Sequence, residues 1–350
     1  MIVIGIDPHM ASHTACAVDG RTGELLSELT VPAGREGHGR LLSWARRFGA
    51  ERLFCIEDCR HVSAGLERLL LARGEEVVRV PPQLVAALRR RGRRRGKSDS
   101  IDALSVARAA LQEPDLPRAR LAGAEREVRL LVDHRDDLVA ERRRIQQRLR
   151  WHLHELGCEI LPSRALGRAK WLDYLHAWLA HRRGTQARIC RTLVARLRTL
   201  SREVDALERE IADLVSERAG ALLAIPGCGP LTAAKLIGEI GDVTRFPTAA
   251  KLAMHAGVAP IPASSGAQHR YRLNRHGNRQ INAALHRIAV NQGRWHPDAR
   301  AYLARKQQEG KSRREAVRAL KRHLASAVYR AMRSMAATSS LEVAAAPALA

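Results

Sequence analysis

The chain has 350 residues, with 60 Lys plus Arg against 36 Asp plus Glu, a formal charge of +24 and a sequence pI near 11.2. That length allows two domains and a connector, and 45% apolar residues are enough for ordinary cores, which excludes disorder of the whole chain. Aromatics are only 3%, so base stacking on Phe, Tyr and Trp cannot be the main mode of recognition; charge does more of that work, and the expected partner is a polyanion.

The first 120 residues read as an α/β domain. A β-branched run at 2–6 ends at Asp7, 13–18 is a second strand followed by Asp19-Gly20 and Thr22-Gly23 turn chemistry, and 25–31 supplies a third. A helix at 39–48 precedes a buried-type strand at 52–56 that ends at Glu57, and 77–80 is a further strand closed by Pro81-Pro82. Three strands, helix, strand, helix, strand is the order of a ribonuclease-H-like domain. Residues 121–217 read as a helical connector. There Leu193, Leu197, Leu200, Val204, Leu207, Ile211 and Leu214 form an a/d heptad, and a second helix at 125–156 can pair with it within one chain or between chains. Trp151, Trp171 and Trp178 are expected to pack this connector. Residues 218–335 form a Gly- and Ala-rich, mainly helical C-terminal domain, and 336–350 an Ala-rich tail expected to be disordered.

No run approaches about 18 apolar residues, so membrane insertion is not expected, and the stretch before Asp7 is too short for a signal peptide. Cys16, Cys55, Cys59, Cys158, Cys190 and Cys228 contain no CxxC pair, so reduced thiols in a cytoplasmic protein are expected, with neither a disulfide framework nor structural zinc. Seven of the cations are Lys and the rest Arg. This is a bias that GC-rich coding produces, and one that also suits bidentate phosphate recognition.

The strongest constellation is acidic. Asp7 and Glu57 end strands, and Asp99 and Asp102 lie at i, i+3 on one face of the first turn of a helix running to about Leu111. Carboxylates at strand ends facing such a pair make an oxygen cage suited to two Mg²⁺ ions and phosphoryl transfer. Each acid alone reads as an ordinary strand-end or helix-start residue; the four in this order favour catalysis. Upstream, Arg89, Arg90, Arg91, Arg93, Arg94, Arg95 and Lys97 place seven cations in nine positions, a charge run expected to order on nucleic acid. Ile225-Pro226-Gly227-Cys228-Gly229-Pro230 resembles a helix-hairpin-helix turn, with Gly227 and Gly229 admitting a phosphate to backbone N–H groups. Ser264-Ser265-Gly266 is followed by Arg270, Arg272, Arg275, Asn278 and Arg279, a basic loop able to carry a nucleophilic serine beside guanidinium groups. A helix from about 310 presents Lys311 and further cations to phosphate.

Taken together, Gly5-Ile6-Asp7, Glu57, the run 97–103 (KSDSIDA), the run 225–229 (IPGCG), the segment 260–266 and Gly277-Asn278-Arg279 resemble the insertion-sequence one-ten transposases, also described as Piv-like or DEDD transposases. The match extends over nearly the whole chain to about Met335. The resemblance implies an RuvC-like domain whose Asp7, Glu57, Asp99 and Asp102 bind Mg²⁺, and a C-terminal transposase domain whose Ser265 attacks DNA to form a phosphoserine link. It further implies guidance by a structured bridge RNA pairing with donor and target double-stranded DNA, and a homo-tetramer with active sites shared between subunits. Two departures stand out: Asp58-Cys59-Arg60 follows Glu57 where the family has a small residue, Thr and Gly, making Asp58 a rival carboxylate, and Ser264 adjoins Ser265. An RuvC-like Holliday-junction nuclease using metal-activated water, and a non-catalytic nucleic-acid scaffold, are the alternative readings of the same charge and acids.

Overall fold

A computed structural model describes residues 1–91, 98–113, 116, 118–120, 123–158, 165–263, 271–272, 274 and 277–345; of helical residues 60, 61, 90, 91, 124 and 338–345, and of residue 165, only the backbone is described. The chain divides into two compact units, Met1–Ala122 and Gly123–Ala350.

Among the described residues the first unit has five strands: β1 (Ile2–Pro8), β2 (Ser12–Asp19), β3 (Leu25–Pro32), β4 (Arg52–Glu57) and β5 (Glu76–Val80), ordered β3-β2-β1-β4-β5. The β1/β2 and β2/β3 pairs are antiparallel, while β1/β4 and β4/β5 are parallel. This is the ribonuclease-H-like arrangement expected from the order of the elements. Asp19 accepts hydrogen bonds from the N–H groups of Arg21 (2.8 Å) and Thr22 (3.0 Å), which sets the β2–β3 turn.

Side-chain alternation divides the sheet. Ile4, Ile6, Phe54 and Ile56 face α1 (Arg35–Arg46) and α2 (Arg60–Ala72), packing with Leu41, Leu42, Leu66 and Leu70. Val3, Cys55 and Val78 face the other way, toward α3 (Pro82–Arg91) and α4 (Asp99–Gln112), packing with Val85, Ala103, Val106 and Ala107. Both strand runs are therefore buried on two sides and read as near-continuous apolar sequence. At Gly5 the helix lies directly on the strand. A Cβ there would fall under 3.0 Å from the Ala103 carbonyl oxygen and the Ala107 nitrogen, so no other residue fits without moving backbone.

The second unit is helical: α5 (Ala124–Glu155), α6 (Ala169–Ala180), α7 (Thr185–Arg218), α8 (Gly220–Leu223), α9 (Pro230–Ile240), α10 (Ala249–His255), α11 (Arg279–Trp295), α12 (Pro297–Gln308) and α13 (Arg313–Ala345), with a two-stranded hairpin of β6 (Ile261–Pro262) and β7 (Tyr271–Arg272). The intrachain alternative holds for the two long helices. Arg135 pairs with Glu208, Arg196 with Glu141 and Gln186 with Glu155, so partner numbers fall along α7 as they rise along α5, an antiparallel hairpin. Leu197, Leu200, Val204 and Ile211 are buried as expected. Leu193, Leu207 and Leu214 are only half-buried, and Val194 and Val215 take the buried line instead. A 3.6-residue turn drifts away from a strict seven-residue repeat, and this short pair follows the drift.

One apolar cluster joins Ile145, Leu149 and Leu153 of α5 to α6 and the first half of α7. A second gathers Val128, Val132, Ile211 and Val215 with α9, α10, α11 and α13. Trp151 is 69% exposed, contrary to the expectation that it packs the connector, because it lies off the line of Leu149 and Leu153. Ser312 and Glu315 form a reciprocal cap at the start of α13. That helix continues to Ala345, into the Ala-rich segment expected to be a tail; alanine has the highest helix propensity. None of the six cysteines forms a disulfide.

Candidate active site

Register brings the first two acids together. Ile6 of β1 aligns with Ile56 of β4, so Asp7 and Glu57 follow at adjacent strand ends, on the odd-numbered face that looks toward α4. Ser98 caps α4 by accepting from the Ile101 N–H (3.3 Å), which starts the helix at Asp99 and leaves Asp102 one turn in. Because Gly5 lets α4 touch β1 at Ala103, Asp102 is carried to the strand ends as well.

The resulting cluster is electrostatically crowded. Asp7 is 4% exposed, and its Oδ2 has no hydrogen-bond partner among the described residues. Burial pushes its carboxyl up to about 6; nearby His9 pulls it back, while Glu57, Asp102 and Asp99 push it further. Burial likewise raises Glu57, with Asp102 adding to the rise and Arg89 and His9 opposing it. Asp102 is 7% exposed and accepts from Arg89 Nη1 at 3.0 and 3.3 Å. Asp99 is the solvent-facing member, its Oδ1 3.9 Å from His9 Nε2, while His9 Nδ1 lies 3.6 Å from Asp7 Oδ2.

Asp7, His9 and Asp99 present ligand atoms all within 4.8 Å of one another. An orphaned buried carboxylate oxygen, raised acid pKa values and a mixed O and N donor set are what a divalent cation relieves. The residues present therefore fit a metal. Asp58 is not among the groups acting on Asp7; its charge acts on Arg79 and Cys59.

The basic positions fare differently. Arg89, expected at nucleic acid, instead has its guanidinium on Asp102. The side chains of Arg90 and Arg91, and Arg93, Arg94, Arg95 and Lys97 entirely, lie outside the described residues. Gly227 has φ +79°, and a Cβ there would meet Asn291 Cβ at 3.1 Å, so this glycine serves a turn packed on α11, whereas Gly229 caps α9 with open space beside it. Lys311 and Arg279 are exposed.

Ser264, Ser265, Arg270 and Arg275 lie outside the described residues, but the frame that carries them is described. β6 and β7 pair through Ile261 with Arg272 and Pro262 with Tyr271. Gly257, at φ +66°, meets Gly277 so closely that a Cβ on Gly277 would fall under 3.0 Å from the Gly257 nitrogen and Cα. Asn278 N–H donates to the His255 carbonyl (2.6 Å), and Asn282 Nδ2 donates to the carbonyls of Ala256 (2.9 Å) and Gly257 (3.2 Å). Asn282 Oδ1 in turn accepts from buried Lys321 (2.5 Å). Asn278, expected at nucleic acid, is occupied within the fold: its Oδ1 caps α11 and its Nδ2 donates to buried Glu239 (2.8 Å).

Sequence reading missed His9, the role of Arg89, and the Glu239, Asn282 and Lys321 frame. His9 was visible as a ligand-type residue two positions from Asp7; nothing local marks the others.

An acid cluster at the strand ends of a ribonuclease-H-like sheet defines an enzyme of phosphoryl transfer on nucleic acid. Residues 4–157 match a family model of DEDD, IS110-type transposases, and residues 219–304 match one described as "Transposase IS116/IS110/IS902 family". The chain belongs to this family of insertion-sequence transposases and is a DNA transposase by class. It is 27% identical over 95% of its length to the "Insertion element IS116 uncharacterized 44.8 kDa protein" of Streptomyces clavuligerus, of which the match spans 94%. It is 28% identical to the "Mini-circle putative transposase for IS117" of Streptomyces coelicolor, over 88% of each chain. The solved "T. thermophilus RuvC in complex with Holliday junction substrate" aligns at 18% identity over 33% of this chain and 94% of that one, with a TM-score of 0.26; the fold assignment rests on strand order and register. Among the described residues no helix is long and apolar enough to cross a membrane.

Proposed function

We propose that this transposase cuts and rejoins DNA to excise and insert its element, with Mg²⁺ held by Asp7, Glu57, Asp99 and Asp102 and with Ser265 as nucleophile. The observation that carries the reading is an orphaned, buried Asp7 oxygen on a carboxylate that feels the charges of Glu57, Asp102 and Asp99. His9 is placed to act as a further donor. When bound, the metal supplies neutralisation of charge developing on phosphate oxygens.

The chain's own residues do the rest. Buried Asp7 and Asp102 fix the donor oxygens on rigid elements, and the Gly257 and Gly277 crossing holds the two ends of the serine segment together. In the cleavage step a bond forms between the serine Oγ and phosphorus as a phosphorus–oxygen bond of the DNA breaks; the serine proton is lost and the leaving oxygen takes up a proton. Rejoining reverses this with a different DNA hydroxyl. The +24 charge and the family resemblance support a bridge RNA bound together with double-stranded donor and target DNA. The resemblance also supports a homo-tetramer.

Incubation with junction DNA and Mg²⁺ is expected to give a protein–DNA adduct that is absent in Ser265→Ala. An adduct retained there and lost in Ser264→Ala moves the nucleophile by one residue. Cleavage without any adduct refutes serine catalysis and returns the site to metal-activated water.

A further inference from the structure

We propose that a cleft in the C-terminal unit, apart from the acidic site and from the basic segments of the sequence at 89–97, 270–279 and 311–322, binds the phosphodiester backbone of nucleic acid. The cleft has a volume of about 520 Å³ and is lined by Arg135, Arg142, Arg143, Arg150 and Arg287. The first four belong to α5 and fall at steps of seven, one and seven, which is one helix face. Arg287 comes from α11, and Leu166 and Leu231 add apolar wall.

Among the described residues, none of those lining the cleft is acidic. Arg135 is held in place by Glu208 and Asp136. Among the described residues Arg142, Arg143 and Arg287 meet no carboxylate and have no other polar partner. Like charges fixed in one concavity on rigid helices repel, and an anion in the cleft relieves that repulsion. Arginine-rich composition alone does not account for it. A neighbouring cleft of about 430 Å³, which Arg142 also borders, contains Arg198 and Arg202 together with Asp173 and Asp205, and there Arg198 is already paired with Asp173. Among the described residues the neighbouring cleft carries acids beside its arginines, and the first carries none.

The geometry favours an extended ligand over a single small anion. Arg135 and Arg142, or Arg143 and Arg150, are two helical turns apart, roughly 10 Å at 1.5 Å per residue. That distance spans about three phosphates at roughly 3.4 Å of rise each along one strand. Guanidinium forks match phosphate oxygens two at a time, which a lysine ammonium does not. DNA and RNA share this chemistry, and the proposal relies on the functional reading only for a nucleic-acid ligand.

The test measures binding of the full-length protein to a short duplex DNA and to a structured RNA hairpin by fluorescence anisotropy across a salt series. Two triple variants are compared with wild type: Arg142→Gln, Arg143→Gln, Arg287→Gln, and the same positions changed to Lys, which keeps charge and stem while removing the fork. Arg198→Gln with Arg202→Gln is the control. The Gln triple is expected to lose at least tenfold in affinity for one or both nucleic acids, with the salt slope falling by about 0.7 to 0.9 for each phosphate no longer neutralised. Loss confined to one probe identifies the occupant. The Lys triple is expected to recover only part of the affinity. Unchanged affinity and slope in the Gln triple, full recovery in the Lys triple, or an equal loss in the control pair would each overturn the proposal. None of these outcomes depends on Ser265, since binding is read without cleavage.

Discussion

Replacing Asp7 by Asn is expected to stabilise the metal-free protein at neutral pH. Asp7 titrates at about 6 in the folded chain against an ordinary 3.8. The folded state therefore holds its proton more tightly than the unfolded one between these values, and stability falls as pH rises through that window. Above it the ionised, crowded carboxylate costs about 3 kcal/mol at 1.36 kcal/mol per pH unit. Asn has the same shape and no charge, so urea unfolding in a chelator is expected to find Asp7→Asn more stable by up to about 3 kcal/mol near pH 8. The gap closes as pH falls through 6 and vanishes below about 4. Divalent cation reverses the order: at a hundredfold excess over its dissociation constant the wild type gains about 2.7 kcal/mol, and the variant, lacking one ligand, gains less. A wild type that is the more stable protein near pH 8 in chelator, or a difference that ignores pH, refutes the account of a strained, cation-seeking cluster.

Two substitutions test how the sites are framed. Gly5→Ala puts a methyl against the backbone of Ala103 and Ala107, so α4 has to back away from β1; a loss of about 1–3 kcal/mol in urea unfolding is expected, together with weaker Mn²⁺ binding as Asp102 withdraws from Asp7. Stability and metal affinity both within error of wild type would show that α4 does not depend on this close approach. Gly277→Ala drives the same kind of clash into Gly257; stability is expected to fall by a similar amount and adduct yield to fall much further, while affinity for duplex DNA is unchanged. Normal adduct yield would separate the Gly257 and Gly277 crossing from the chemistry of the serine segment.

The parts of the fold that repeat locally were legible in the sequence. Apolar runs bounded by Asp19-Gly20 and Pro81-Pro82 marked the strands, and Asp99 with Asp102 marked the first turn of α4. The acids were legible because strand ends and an i, i+3 pair are local features too. What escaped depends on partners distant in sequence. Gly5 reads as a weak point in a β run until α4 is laid on it. Arg89 reads as the first cation of a basic run, yet its position on α3 gives it to Asp102, thirteen residues on. Asn278 reads as a polar loop residue beside arginines, and only the packing of α9 against α11 brings Glu239 to its amide. The buried line of α7 shifted for a similar reason, since which face a helix buries is settled by its neighbour and not by a heptad count.

The charge of the chain also takes on a different meaning once it is placed. A net +24 protein has little need of cations to hold its few acids apart on the surface, yet at the strand ends burial makes mutual repulsion among Asp7, Glu57 and Asp102 effective. His9 and Arg89 offset part of it from two sides, one at the β1–β2 turn and one at the end of α3. Arg89 does so at both oxygens of Asp102, the same atoms a divalent ion needs. A carboxylate offers about four lone-pair sites, so the single Arg89 nitrogen on Asp102 leaves room for a divalent ion on the same group. Arg89 thus ties the acidic site to the head of the most concentrated cationic segment of the sequence through one side chain.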